Sequence, residues 1–260
     1  MGKFVSVKQH GNIAEVILDR PEAYNAFNLE MITEFATRLM QLASDDLVRG
    51  LAISGNGKAF CAGGDLKWAV GFCEKAGASF HTLASQFHQA IVEIRRMKKP
   101  VVAAINGAAA GGGFSLALAC DFRVMEKSAV LRQAYTSNGL CIDGGGSFTL
   151  PRIVGLARSL EIAAFDDPIS SDQALEWGLV TKVVEDGTAA EEAMEMLTRL
   201  AKNSRYSFGW SKKLLTDSFN NTLETHLELE REGLSECADH PDGQEGLKAF
   251  VEKRKPLFDS

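Results

Sequence analysis

Val101-Val-Ala-Ala-Ile-Asn-Gly-Ala-Ala-Ala-Gly-Gly-Gly-Phe114 decides how this chain folds. Val101 to Ile105 is an uncharged, β-favouring run, which reads as a strand buried on both faces. Asn106 to Gly113 then supplies small residues suited to a turn, and a helix is expected to begin near Gly112. An earlier stretch follows the same plan: a strand over 48–54 runs into Ala59-Phe-Cys-Ala-Gly-Gly-Asp-Leu66. Small residues in both turns let a ligand approach the backbone and permit dihedrals that aim N–H groups outward. At the second turn the free amides and positive end of a helix would face a developing anion. Either glycine cluster alone could equally serve tight turns and close helix packing.

The alternatives for these glycines fail on spacing. Gly111-Gly-Gly-Phe-Ser-Leu116 lacks the last glycine of a dinucleotide fingerprint, and Gly57-Lys58 is followed by Ala59, not by the hydroxyl residue of a P-loop. Residues 100–120 carry no charge and contain Gly107-Ala-Ala-Ala-Gly111, the spacing of a transmembrane dimer face. Asn106 and four glycines inside that segment argue against a span, so no membrane partner is expected.

Outward from this centre, residues 4–9 and 12–18 read as a hairpin around Gly11. From an Asn28 N-cap, Ile32, Phe35, Ala36, Leu39, Leu42 and Ala43 recur at helical spacing. Phe80, Leu83, Ala84, Phe87, Ile91 and Ile94 mark a second amphipathic helix, and 124–131 reads as one extended stretch. From residue 156 onward the chain reads as mostly helical, with a capping box at Ser170 to Gln173. Strands alternating with helices give an α/β fold class.

Bulk properties narrow the function. The 260 residues carry a net charge of -6, which supplies no global positive field for a nucleic-acid backbone, so no nucleic-acid partner is expected. Cys61, Cys73, Cys120, Cys141 and Cys237 are odd in number and lack C-x-x-C spacing, which points to free thiols in a reducing compartment and to no metal site. The N-terminal residues run directly into strand-like sequence without an apolar signal region. A cytoplasmic location is expected.

Taken together, the motifs resemble the enoyl-CoA hydratase/isomerase (crotonase) family over nearly the whole chain. They are Leu18-Asp-Arg-Pro-Glu-Ala-Tyr-Asn-Ala-Phe27, the two glycine turns, Ala119-Cys-Asp-Phe-Arg123, Ala174-Leu-Glu-Trp-Gly-Leu-Val180 and Glu252-Lys-Arg-Lys-Pro-Leu-Phe258. The resemblance implies a crotonase-like spiral of ββα repeats over residues 1–200 and a helical C-terminal region over 201–260 that makes a homotrimer or hexamer. It implies that the Ala62 and Gly112 amides form an oxyanion hole for an acyl-CoA thioester, favouring the enolate over the neutral thioester. Ala62, Gly63, Gly64 and Asp65 would line the CoA channel, with Asp65 pinning its loop, and Lys253 would contact a CoA phosphate. A solvated terminal lysine is an equally good reading of Lys253. No separate cofactor is implied, because coenzyme A is part of the substrate.

Departures from the family pattern are more informative. Hydratases of this type use two glutamates to activate water, and those positions read Ser115 and Tyr135, assigned instead to the substrate pocket. The remaining candidate is Asp143, in Gly139-Leu-Cys-Ile-Asp-Gly-Gly-Gly-Ser-Phe148, similar to the ring-epoxide isomerase type of the phenylacetyl-CoA pathway. An aspartate before glycines can be a simple turn-former. An apolar setting of Leu140, Cys141, Ile142 and Phe148 would instead favour proton transfer by Asp143. The expected reaction is isomerisation of a double bond or ring, with Asp143 as acid/base.

Two rivals stand beside it. In aryl-CoA dehalogenation the same aspartate is a nucleophile, helped by a histidine and a tryptophan whose positions read Val92 and Tyr135, with His88 taken as a surface residue. A CoA-ester-binding homologue without catalysis would also fit Ser115 and Tyr135. His81 and His88 are expected at a surface or interface, Cys61 as a packing residue, and Arg95, Arg96, Lys98 and Lys99 as a solvated helix end.

Overall fold

Period-two alternation pairs β1 (Val5–His10) with β2 (Ile13–Leu18) as an antiparallel hairpin. The computed structural model describes residues 2–258. β3 (Gly50–Gly55), β5 (Val101–Ile105), β7 (Phe122–Glu126) and β10 (Lys182–Val184) extend the hairpin into a six-stranded sheet in the order β1-β2-β3-β5-β7-β10, all parallel beyond β2. A second sheet holds β4 (Ala59–Cys61), β6 (Ala108–Ala110), β8 (Val130–Arg132) and β9 (Ile169–Ser170). From β3 to β8, successive strands go alternately to the two sheets, and β9 then pairs antiparallel with β8 before β10 returns to the first sheet. Helices α2 (Leu66–Phe72) and α3 (Ala76–Arg96) follow β4, α4 (Gly112–Ala119) follows β6, and α5 (Gly146–Phe165) follows β8. This is the spiral of ββα repeats that the resemblance implies.

β5 shows why the sequence winds this way. Every residue of it is buried, and alternate side chains serve different cores because successive Cβ atoms point to opposite faces. Val101, Ala103 and Ile105 join Phe35, Leu39 and Ile94 of α1 (Leu29–Ser44) and α3. Val102 and Ala104 join Ala189, Ala193 and Leu197 of α7 (Ala189–Leu200) on the other side. Burying Leu197 contributes about 2 kcal/mol. Asn28 caps α1 by accepting the Met31 N–H at 2.9 Å.

Several sequence expectations change. Residues 124–131 are two strands in different sheets, because the Ala129 N–H turns back to the Glu126 carbonyl at 3.0 Å. α5 starts at Gly146, ten residues before the expected helical region, and is kinked at Gly155. The solvated helix end is not uniformly solvated. Lys99 is buried, and its Nζ donates to the Leu42 and Asp45 carbonyls at 2.5 and 2.6 Å, closing the C-terminus of α1.

After α6 (Ser171–Glu176), whose capping box forms as the sequence indicates, and α7, the chain continues as α8 (Arg205–Asp217), α9 (Leu223–Asp239) and α10 (Pro241–Val251). α8 is fixed to the spiral by a buried ion pair, in which Lys212 donates to Asp121 at 2.8 Å and to the Ile94 carbonyl at 2.7 Å. Leu223, Leu227, Leu234, Phe250 and Val251 on α9 and α10 are exposed.

Candidate active site

β4 and β6 pair in parallel, which lays the turns that follow them side by side. Their approach is close enough to require glycine. A Cβ on Gly113 would lie 2.0 Å from the Cys61 carbonyl oxygen, and one on Gly63, at φ 90°, would lie 2.7 Å from the Gly112 nitrogen. The main chain here is therefore exposed to whatever occupies the space above it.

The donors differ from those expected. The Ala62 N–H is already engaged by the Tyr24 carbonyl at 3.0 Å, so it cannot serve a thioester oxygen without breaking that bond. The Gly64 and Gly112 N–H groups have no acceptor among the described residues. Gly112 opens α4, where no intrahelical partner exists, and a Cβ added to it would stand 3.7 Å from the Gly64 nitrogen. Gly64, rather than Ala62, is thus the first turn's available donor.

Residues of the Leu18–Phe27 motif hold that turn. Arg20 donates from Nη1 to Asp65 at 2.7 Å and to the Ala26 carbonyl at 2.9 Å. Asn25 is fully buried, and its Nδ2 donates to the Asn56, Ala59 and Phe60 carbonyls at 3.0, 2.8 and 3.3 Å. Asp65 caps α2 by accepting the Trp68 N–H at 3.0 Å. Burial works to raise the Asp65 pKa, but the Trp68 N–H and the Arg20 guanidinium prevail and hold it below the ordinary carboxylate value.

Above the two turns lies a cavity of about 480 Å³, walled mainly by apolar side chains such as Phe27, Phe80, Leu83 and Phe87. Ala62, Gly64, Gly112, Tyr135 and Asp143 all border it. Among the described residues Asp143 is the one carboxylate bordering it. Its carbonyl accepts the Ser115 hydroxyl at 2.7 Å and the Gly146 N–H at 3.1 Å, which fixes the residue at the entry to α5. Ser115 is buried and therefore braces Asp143 from behind. Tyr135 is also buried, and burial pushes its phenol above the ordinary range despite a hydrogen bond with Ser115.

The apolar enclosure expected around Asp143 is partial. Its side chain is 38% exposed, and Cys141 and Phe148 are exposed as well. Its partner is a residue that sequence reasoning set aside: His88 Nε2 stands 2.6 Å from Asp143 Oδ1. An ionised carboxylate only accepts, so in that state Nε2 carries the proton. Val92, the position expected to face the aspartate in the dehalogenase reading, is exposed and makes no such contact. One turn of helix separates the two, and a sequence match alone did not fix that phase. His81, two turns before His88 on α3, also borders the cavity.

Other candidates fall outside. Lys253 is exposed in the turn after α10 and does not border this cavity. Gly63 shapes the turn without bordering the cavity, and Asp65 lies behind it in the Arg20 pair. Cys61 is buried, its thiol pushed up to about 12 by desolvation, which leaves it a packing residue and no nucleophile.

Comparison with known proteins agrees with this architecture. The enoyl-CoA hydratase/isomerase family profile matches residues 8–260. The chain is 35% identical to the 1,2-epoxyphenylacetyl-CoA isomerase of Escherichia coli (strain K12), over 99% of each protein. It is 32% identical to 4-chlorobenzoyl coenzyme A dehalogenase-2 of an Arthrobacter species, over 96% of this chain and 91% of that one. The crystal structure of an enoyl-CoA hydratase from Polaromonas sp. JS666 superposes with a TM-score of 0.93 at 34% identity, covering 98% of this chain and 99% of the other. The chain belongs to the enoyl-CoA hydratase/isomerase family.

Proposed function

We propose that this enzyme, whose family acts on CoA thioesters, isomerises a double bond or a strained ring in an acyl-CoA, with Asp143 carrying the proton. The Gly64 and Gly112 amides would hold the thioester oxygen. Asp143 would remove a proton from the acyl chain, giving an enolate held by those amides, and return it to a carbon two positions away. Two preorganised donors favour the enolate because its oxygen carries more charge than the thioester's, and loss of one such donor typically costs about 10²- to 10³-fold in rate. The observation that carries this reading is a single carboxylate, with no second one among the described residues, on a cavity shared with two amides that lack an acceptor there. A hydratase mechanism with two carboxylates lacks one of its groups here. Ser115 and Tyr135 act in this reading as a brace and a wall, and no cofactor besides the thioester's own CoA is required.

Solvent-deuterium exchange tests the reading. In the wild type, label should enter the acyl carbons of a bound enoyl-CoA. In Asp143→Asn exchange should fall by at least about 10²-fold, while binding of the ester persists. Full exchange in that variant refutes the assignment.

The His88 contact supports a second reading. A carboxylate oriented by an imidazole could attack an aryl-CoA carbon that bears a leaving group, and His88 could then take a proton from the water that releases the product. Single turnover in heavy-oxygen water separates the two: label in the Asp143 side chain supports the hydrolytic route, and unlabelled Asp143 with converted substrate supports isomerisation.

The exposed leucines of α9, with Phe250 and Val251 on α10, support self-association of the 201–260 region, and we propose a homotrimer or a pair of trimers. No helix among the described residues is long and apolar enough to cross a membrane. A cytoplasmic location is proposed from the free cysteines.

A further inference from the structure

The loop that carries Tyr135 is held by a residue remote from the reacting atoms. Ala134, Tyr135 and Asn138 form one stretch of the cavity wall. Ala134 sits at φ 55°, an unfavourable conformation for a residue with a Cβ. Asp166, just past the end of α5, sits at φ 53°. They are two of the five non-glycine residues with positive φ among those described, and they are bonded to each other. Asp166 is buried, and its carboxylate accepts the Ala134 N–H at 2.5 Å and the Ser137 N–H at 3.1 Å. Arg132 Nε donates to the Asp166 carbonyl at 2.9 Å and stands 3.5 Å from Oδ1. Thr136 adds a hydroxyl bond to the Ala163 carbonyl at 2.7 Å.

The two ends of α5 thus reach the same cavity by different means. Its first turn follows Asp143, and the residue after its last turn, Asp166, holds the 133–138 loop through the Ala134 and Ser137 N–H groups. Arg132 extends the link, because its carbonyl accepts the Gly111 N–H at 3.1 Å, next to the Gly112 donor. Two strained residues joined by a buried carboxylate are a costly arrangement unless the surroundings over-determine it, and such arrangements collect at functional sites. Burial works to raise the Asp166 pKa, yet hydrogen bonds from Ser137 and Ala134 and the charge of Arg132 keep it low, so the carboxylate acceptor is available across the neutral range.

We infer that Asp166 is a positioning residue that sets the Ala134–Asn138 wall of the cavity and so selects which acyl groups it admits. The inference rests on the reading that this cavity holds the acyl portion of a CoA ester. An acyl group that fills the cavity touches the wall, whereas a two-carbon acyl group at the Gly64 and Gly112 amides does not need it. Displacing the wall should therefore weaken bulky esters and spare small ones.

Calorimetric titration with phenylacetyl-CoA and acetyl-CoA tests this. Asp166→Gly keeps a residue at ease with positive φ and removes the carboxylate, so the fold is retained. Asp166→Asn keeps tolerance for that conformation and one acceptor oxygen, but places an amide donor against one of the two N–H groups. Asp166→Gly should raise Kd for phenylacetyl-CoA about tenfold, on the scale of a misplaced binding surface, and leave Kd for acetyl-CoA within about twofold. Asp166→Asn should fall between Asp166→Gly and the wild type. A purely structural role would weaken both esters in proportion, and an unchanged ratio of the two constants in both variants overturns the assignment. Wild-type protein that shows no preference between the two esters refutes the acyl-cavity reading itself, and this inference with it.

Discussion

At the scale of single residues, the site depends on side chains that do not border the cavity. Asp65 is the clearest case, since its carboxylate ends α2, pairs with Arg20 and fixes the turn that presents Gly64. Its folded-state pKa lies below the ordinary 3.8. A carboxylate with a depressed pKa adds stability that is complete above the ordinary value and is lost as pH falls through the lowered one. Asp65→Asn should therefore reduce unfolding free energy by about 1–2 kcal/mol in urea melts at about pH 7, and the gap from wild type should narrow at about pH 3. A gap independent of pH would assign the stabilisation to packing. Gly113→Ala should be harsher, costing more than about 3 kcal/mol in thermal unfolding, because the added methyl meets rigid backbone at Cys61. Of the catalytic candidates, Gly112 and Asp143 are picked out through the family resemblance, since a glycine turn or an aspartate before glycines is by itself equally a packing or turn feature, and both border the cavity. The partnership of His88 with Asp143 could not be read from sequence, since 55 positions separate them and α3's rotational phase is set by packing. Likewise, the choice between the Ala62 and Gly64 amides depends on the Tyr24 carbonyl, which no local pattern reveals.

At the scale of elements, the long amphipathic helices and the hairpin were readable because period 3.6 or period 2 repeats several times within each. β4, β6, β8 and β9 were not, since strands of two or three residues contain less than two full alternations, and β4 and β6 draw on alanine-rich turns. They exist because a neighbouring strand completes each ladder, parallel for β4, β6 and β8 and antiparallel for β9 on β8, which is tertiary information. α8 offers a measurable test of how elements join. Lys212 is buried and Asp121 largely so, and Asp121 also accepts the Val101 N–H at 2.9 Å. Lys212→Met alone should cost about 3 kcal/mol by leaving an uncompensated carboxylate, while the Lys212→Met/Asp121→Asn double variant should cost less than the sum of the singles. Strict additivity in urea unfolding would show that the pair does not couple α8 to the spiral.

At the scale of the whole molecule, the exposed apolar face of α9 and α10 predicts that the chain sediments as a trimer or hexamer. Leu234→Glu with Phe250→Glu should shift it to monomer in analytical ultracentrifugation without loss of helix content. A wild-type monomer would contradict the proposed assembly. The pairing of β4 with β6 also bears on how this architecture can diversify. The proposed grip on a carbonyl oxygen would be made of peptide groups, so it would survive almost any exchange of side chains that leaves the crossing of the two turns intact. Novelty in such a scaffold is channelled to the facing surface, where replacing one acid or one imidazole can redirect the outcome while the handle on the substrate stays the same.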